Sequence, residues 1–231
     1  MAAPTVPFAP ELIDFIRRVL SVAETDKPVW NPSAVYKYND GPGETPQWTL
    51  SIGFTELGGN LKPVIERYIE LGGTLAIQLV PYLAVMGRKH ISDPEFKKLL
   101  QEAGKEPAMV QAQNELFDEC YLGPAFEWAK THGFSQPLSF LVIADSYLHS
   151  GSMLSFLMAK FPEKKPKDGG DESAWINAYL KARRAWLAGH SNSILQGTVY
   201  RVDCYAKETA RDNWDLAIEP VDMHGTQVTK A

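Results

Sequence analysis

The sequence predicts a mainly α chain of the α+β kind, with two mostly helical lobes and a small β-hairpin or sheet flanking a cleft. Three observations predict it. Apolar residues recur at helical spacing from Leu12 to Ala23 and again from Leu61 almost to the end. The one convincing β region, Val35 to Phe54, is short and broken by Asp40-Gly41-Pro42-Gly43. At 231 residues the chain suits one compact domain, residues 1–231. About 8–60 and the C-terminal helices would form one lobe with the β region, and about 61–160 the mainly helical remainder.

Pro10 precedes a stretch in which Leu12, Phe15, Ile16, Val19, Leu20 and Ala23 share a helical face. The pattern runs out at Glu24-Thr25-Asp26-Lys27-Pro28, so Glu24 closes a first helix. Val35 to Phe54, rich in Tyr, Trp, Thr and Ile, reads as strands joined by tight turns. Further helices are expected at about 61–71, 74–86, 93–103, 107–121, 124–132, 137–160, 172–188 and 200–212. Pro162 to Gly170 reads as a loop, and Asp171 as the N-cap of the helix carrying Trp175, Tyr179, Leu180 and Leu187.

Composition narrows the function classes. An apolar fraction of 45% without low-complexity tracts or repeats fits a folded globule. The net charge of −5, with basic residues scattered, gives no footprint for nucleic acid. An acidic surface instead tolerates a cationic ligand. The longest apolar stretches, Leu75 to Met86 and Pro137 to Leu148, contain Gln78, Pro81 or Asp145 and are too short to span a bilayer. Met1 to Pro10 lacks the basic and apolar regions of a secretory signal. The two cysteines, Cys120 and Cys204, allow at most one intramolecular disulfide and read as core residues.

The chemistry rests on carboxylates. Glu24 at a helix end, and Glu44 or Asp40 in the β segment, can stand on opposite walls of a groove, the pair that cleavage of a glycosidic bond needs. One carboxyl keeps a proton for the leaving oxygen; the other ionises to activate water or attack the sugar. Glu24 leaves an apolar helix, where partial burial favours a protonated carboxyl. Each residue also has a plain structural reading: Glu24 as a solvated helix end, Asp40 as a turn residue, Glu44 as loop filler. Tyr38 and Trp48 can stack on sugar rings or pack across strands. Asp145, inside Phe140-Leu141-Val142-Ile143-Ala144, requires cationic partners if buried. His149 is either a satisfied structural residue or a hydrogen-bonding group at a cleft edge. Neither metal-ligand spacing nor a Gly-rich phosphate loop is present, so no metal and no cofactor are implied.

Ala23-Glu24, Tyr36-Lys37-Tyr38, Gly43-Glu44, Trp48-Thr49 and Ile52-Gly53-Phe54 together resemble the active-site segment of the family 46 chitosanases. Downstream, Gln111-Ala112-Gln113-Asn114 with Asp118, Tyr121 and Pro124-Ala125 resembles that family's central helix. Asp145 with His149 and Gly151, Gly169-Gly170-Asp171-Glu172, Ala182-Arg183 and Arg201-Val202-Asp203 follow in the family's order. The resemblance runs from about Leu12 to Asp215 and implies a lysozyme-like fold. It implies Glu24 as general acid, Glu44 as base and Thr49 as the residue that positions the attacking water. Glu44 stands where the family has Asp, and Thr-Pro-Gln-Trp follows it instead of Gly-Arg-Gly-Tyr, so Asp40 is the reserve base. Asn60 stands where the family has an acidic residue that recognises a glucosamine ammonium, and an amide cannot supply that charge-assisted bond. Asp145, Arg183 and Arg201 are implied to form a structural ion network behind the cleft.

These residues lead to an expectation: an endo-acting hydrolase of β-1,4-linked amino-sugar polymer, chitosan before others, inverting at the anomeric carbon. Tyr38, Trp48, Asn60 and His149 would bind substrate. The partner is the polysaccharide, with no nucleic acid and no membrane, and the protein is expected to be a monomer. It is expected outside the cell, with a signal trimmed or export by another route. Two alternatives stand beside this. A peptidoglycan muramidase is favoured by Asn60 and by the missing signal; a non-catalytic carbohydrate-binding module on the same fold is motivated by the departures around the base.

Overall fold

A computed structural model describes residues 8–230; the part of the leader reading that falls on residues 1–7 lies outside them. The chain divides into two compact units. One is built from the chain up to Pro28 and from Glu119 onward, the other from Val29–Asp118.

In the first unit, α1 (Pro10–Thr25) starts on a proline whose fixed φ suits the first helical turn. Phe15, Ile16, Val19 and Leu20 are fully buried on its inner face. It ends where Asp26 turns left-handed at φ 58° and its N–H bonds back to Val22 O, leaving Glu24 in the last turn. The remaining helices are α6 (Gly123–Thr131), α7 (Pro137–Ser150), α8 (Ser155–Met158), α9 (Glu172–Ala188), α10 (Ser193–Gly197) and α11 (Val199–Ala210). Helix α7 forms the centre of this unit: Leu138 to Ser146 are all buried, with α1, α6, α9 and α11 against it. Asp171 caps α9 as expected, its carboxylate accepting from Ala174 N at 2.7 Å.

In the second unit, β1 (Val35–Gly41), β2 (Thr45–Leu50) and β3 (Phe54–Thr55) form an antiparallel sheet in that order. Helices α2 (Leu61–Glu70), α3 (Ala76–Leu83), α4 (Pro94–Ala103) and α5 (Pro107–Phe117) complete it. The register pairs Tyr36 with Thr49 and Tyr38 with Gln47, then shifts between Tyr38 and Gly41 before Gly41 meets Thr45. Alternation puts Tyr36, Tyr38, Gln47 and Thr49 on one face and Trp48, Leu50 and Phe54 on the other, the latter in the core.

The mainly helical class and the first helix agree with expectation; several details differ. The β region groups with α2–α5, because β3 packs on α2 and β1 on α4, while α6 and α7 belong with the first and last helices. The helix expected through residue 160 stops at Ser150, where Gly151 adopts φ 74° and its N–H bonds to Tyr147 O. The helix expected to residue 121 gives way at Asp118–Leu122 to a π turn. A second hairpin, β4 (Val221–Met223) and β5 (Thr226–Val228), was not expected. His224 and Gly225, both at positive φ, form its two-residue turn, and Val221, Met223 and Val228 are buried. Cys204 is buried as expected, Cys120 only partly, and both are free thiols.

Candidate active site

The first unit assembles its predicted residues around Asp145. The α7 run that carries this side chain is so apolar that it draws the carboxylate fully into the core. Four donors meet it there. Arg183 Nη1 from α9 donates to Oδ2 at 2.6 Å. Arg201 from α11 donates to Oδ1 through Nε at 3.0 Å and Nη2 at 2.6 Å, and Tyr205 OH donates at 2.8 Å. Burial by itself would raise the Asp145 pKa, but the charges of Arg201 and Arg183 outweigh it and hold the carboxyl well below the usual range. Both guanidiniums are almost completely buried, which a protein tolerates only when charges are paired and hydrogen-bonded.

Arg201 carries this network to Glu24. Its Nη1 donates to Glu24 Oε1 and, at 3.2 Å, to Ala23 O. Tyr200 OH donates to the same Ala23 carbonyl at 2.6 Å. That carbonyl lies in the last turn of α1, where helical carbonyls lose their intrahelical donors. Glu24 itself is about a quarter exposed. Two carboxylates and two guanidiniums therefore balance in charge, with one carboxylate sealed and the other at the surface. The apolar surroundings expected of Glu24 are replaced on one side by a guanidinium.

His149, one helical turn after Asp145, joins from α7. Its Nδ1 lies 3.2 Å from Arg183 Nη2, and since arginine only donates, Nδ1 accepts and Nε2 carries the proton. Burial first, then the charges of Arg201 and Arg183, push the imidazole pKa down to about 4 against the pull of Asp145. His149 is thus a neutral donor at neutral pH.

The remaining candidates lie in the second unit, with Tyr38 and Thr49 on the sheet face that also bears Tyr36. The two tyrosine rings stack at 6.0 Å and are about half exposed. Asp40 is exposed and accepts from Gln47 Nε2 at 3.0 Å, while Gln47 Oε1 accepts from Leu57 N at 2.9 Å, so the amide is held at both ends. Glu44 lies in the turn between β1 and β2, exposed, at φ 59°, without a hydrogen-bond partner among the described residues. Thr49 is buried, and its hydroxyl has no partner among the described residues. Trp48 corrects its expected role: it is 7% exposed, points to the core face and donates from Nε1 to Ile91 O at 2.8 Å. Period-2 alternation with Leu50 forces that orientation. Asn60 immediately precedes α2 and is partly buried.

Several functional neighbours escaped sequence reasoning. Tyr200 and Tyr205 flank Arg201, and Tyr205 stands four residues after it, the spacing that puts both on one helical face. Glu56 is buried, accepting from Trp48 N at 3.0 Å, from Ile91 N and from His90 Nδ1 at 2.9 Å. Its main partners are backbone amides, which leave no sequence signal.

A surface carboxylate clamped by a buried ion network, in a mainly helical chain that also carries a small sheet, fits the class of the glycoside hydrolases. The model of glycosyl hydrolase family 46 matches residues 18–220, and the chain belongs to that family. It is 29% identical to a chitosanase of Streptomyces sp. (strain N174) over 209 residues, covering 84% of this chain and 74% of the relative. To a chitosanase of Bacillus subtilis (strain 168) it is 26% identical over 199 residues, covering 79% and 71%. Among solved structures, a Gynuella sunshinyii family 46 chitosanase in complex with chitotetraose superposes with a TM-score of 0.80 at 24% identity, covering 95% of this chain and 97% of that one. Native chitosanase from Bacillus subtilis MY002 gives 0.81 at 20% identity, covering 96% and 100%.

Proposed function

We propose that the protein is an endo-acting hydrolase of β-1,4-linked amino-sugar polymer, chitosan before others, that inverts the anomeric centre. The observation that carries this reading is the contact of Arg201 with Glu24, because it supplies what a general acid requires after it reacts. Glu24 gives its proton to the glycosidic oxygen as the bond to the anomeric carbon breaks. The carboxylate left behind meets a guanidinium already in place, fixed from behind by Asp145. Water attacks the opposite face of the sugar and passes its proton to Glu44, and the Thr49 hydroxyl, which has no partner among the described residues, holds that water. Asp40 is the alternative base, since Gln47 orients it as a base must be oriented. Tyr38, Asn60 and His149 contact the chain. The polymer's size places the work outside the cytoplasm, and a monomer suffices for it.

A muramidase acting on peptidoglycan is the second reading, carried by Asn60 in place of an ammonium-binding acid. Reducing-sugar release from highly deacetylated chitosan and from purified peptidoglycan tests both readings. It would be run with wild type, Glu24→Gln, Glu44→Gln and Asp40→Asn. Cleavage of chitosan that falls by several orders of magnitude in Glu24→Gln and in one of the two base variants supports the assignment. Activity on peptidoglycan alone moves the muramidase first, and silence on both favours a binding module.

A further inference from the structure

The hairpin β4–β5 carries none of the candidate acid and base residues, yet it is seated against the helix that bears Glu24 and the helix that clamps it. Strand β4 packs on both α1 and α11, and β5 packs on α1. Its turn residue His224 reaches α11 twice. The His224 N–H donates to Cys204 Sγ at 3.2 Å, and the exposed imidazole lies on the Tyr200 ring with centroids 4.8 Å apart at 33°. Tyr200 and Cys204, four residues apart on α11, share the helical face that meets the turn. The contacts continue inward from Tyr200, whose hydroxyl donates at 2.6 Å to Ala23 O in the last turn of α1, beside Glu24. Burial first raises the Tyr200 phenol pKa; Arg201 opposes this and the Glu24 and Asp26 carboxylates add to it, so the hydroxyl stands in the field of the candidate acid.

The turn itself does not require histidine. His224 and Gly225, at φ 55° and 96°, stand between the paired residues Met223 and Thr226, where Asn, Asp or Gly before glycine is the favoured choice. The turn is also tied down without the ring, by Gly225 N–H to Asp222 Oδ1 at 2.7 Å and by the backbone contact with Cys204. Tyr200, in contrast, needs cover, because residues 188–200, which lead into α11, include no buried side chain. We propose that His224 is a positioning residue for the hydrolysis: its imidazole holds the Tyr200 ring, and through Tyr200 OH and Ala23 O it fixes the turn of α1 that aims Glu24. The role rests on the reading of Glu24 as general acid. A displaced acid slows proton transfer without weakening the grip on substrate, so the effect falls on kcat and not on KM.

Two substitutions in the full chain separate the ring from the turn. His224→Asn suits positive φ and keeps the N–H on Cys204 but has no ring; His224→Phe keeps a ring but suits positive φ poorly. His224→Asn is expected to melt no lower than wild type yet lose kcat about three- to five-fold at nearly constant KM, on whichever of chitosan and peptidoglycan the wild type cleaves. His224→Phe should melt lower and restore kcat to within about two-fold of wild type. In a Tyr200→Phe background, His224→Asn should lower kcat no further, because the hydroxyl through which the ring acts is gone. Equal kcat for wild type and His224→Asn, a change in KM alone, or a further loss in the Tyr200→Phe background overturns the proposal. The carbon-13 NMR signal of the Glu24 carboxyl, followed in the same proteins, needs no turnover. It should move in His224→Asn and return in His224→Phe, and a signal that stays in place in His224→Asn overturns the proposal. A wild type silent on both polymers, or a Glu24→Gln protein as active as wild type, removes the general-acid reading, and the carboxyl signal then decides whether His224 sets the position of Glu24. Turnover that needs Glu24 but not the His224 ring removes the positioning role alone.

Discussion

Arg201 joins Asp145 and Glu24 through different nitrogens of one guanidinium, Nε and Nη2 to the buried carboxylate and Nη1 to the exposed one. The orientation of the candidate acid is therefore set from inside the core. Asp145→Asn removes the charge that holds both arginines and turns an amide N–H₂ toward one of them. Leaving guanidiniums buried without a counter-charge costs about 3–5 kcal/mol. Urea unfolding of the variant is expected to show a loss of that order, and a loss under about 1 kcal/mol would mean that Glu24 and solvent satisfy the arginines unaided.

The same carboxylate shapes acid stability. Its pKa lies below the value in the unfolded chain, so the unfolded state binds protons first as pH falls. The stabilisation is fully present above the unfolded carboxyl value, about 4, and is lost as pH drops through the lower folded value. Wild type should lose stability between pH 4 and 2, and Asp145→Asn should show a shallower slope across that window in urea titrations.

His149 acts in a neighbouring window. Its folded pKa of about 4 lies below the ordinary value of 6.5, so the native state favours the neutral ring. Between pH 6.5 and 4 the unfolded chain takes up the proton first, and stability falls with pH across that range. An NMR titration of His149 is expected to give a midpoint near 4, and His149→Gln should flatten the stability profile between pH 6.5 and 4. A midpoint near 6.5 would contradict the Arg183 contact that the structure shows.

That Asp145 needs cations was legible from physics, because the apolar run Phe140–Ala144 draws its carboxylate into the core; that Arg183 and Arg201 supply them was legible only through the family resemblance. Glu24 at a helix end was legible from the pattern that stops at Thr25. The stop of α7 at Ser150 was less so, since the helical pattern resumes past Gly151 and hides a glycine that adopts positive φ. Trp48 was misassigned although alternation held the answer, since it shares parity with Leu50 and Phe54 in the core. Tyr200 gave no signal, because its partner is a backbone carbonyl that lies 177 residues away in sequence.

Glu56 stabilises the second unit through backbone amides and a histidine, with no lysine or arginine paired to it among the described residues. Its carboxylate takes the N–H groups of Trp48 and Ile91 and the Nδ1 side of His90. Glu56→Leu leaves two buried amides unpaired, each costing about 1–3 kcal/mol. Thermal unfolding is expected to fall by several degrees, with Glu56→Gln intermediate because it keeps an acceptor oxygen. Equal melting temperatures for wild type and Glu56→Leu would place these amides in solvent.

Tyr200 separates the position of Glu24 from the stability of the fold. Ala23 O accepts from both Tyr200 OH and Arg201 Nη1, so Tyr200→Phe leaves the carbonyl with one donor. The loss of one neutral hydrogen bond amounts to about 1 kcal/mol. The last turn of α1, which carries Glu24, then loses one of its two anchors on α11, and a general acid displaced by a fraction of an ångström protonates less efficiently. We expect kcat to drop about ten-fold with KM nearly unchanged and the pH profile retaining its shape, measured on whichever polymer the wild type cleaves. A rise in KM at constant kcat would instead assign Tyr200 to substrate contact, and no change in either would show that Arg201 alone fixes the acid.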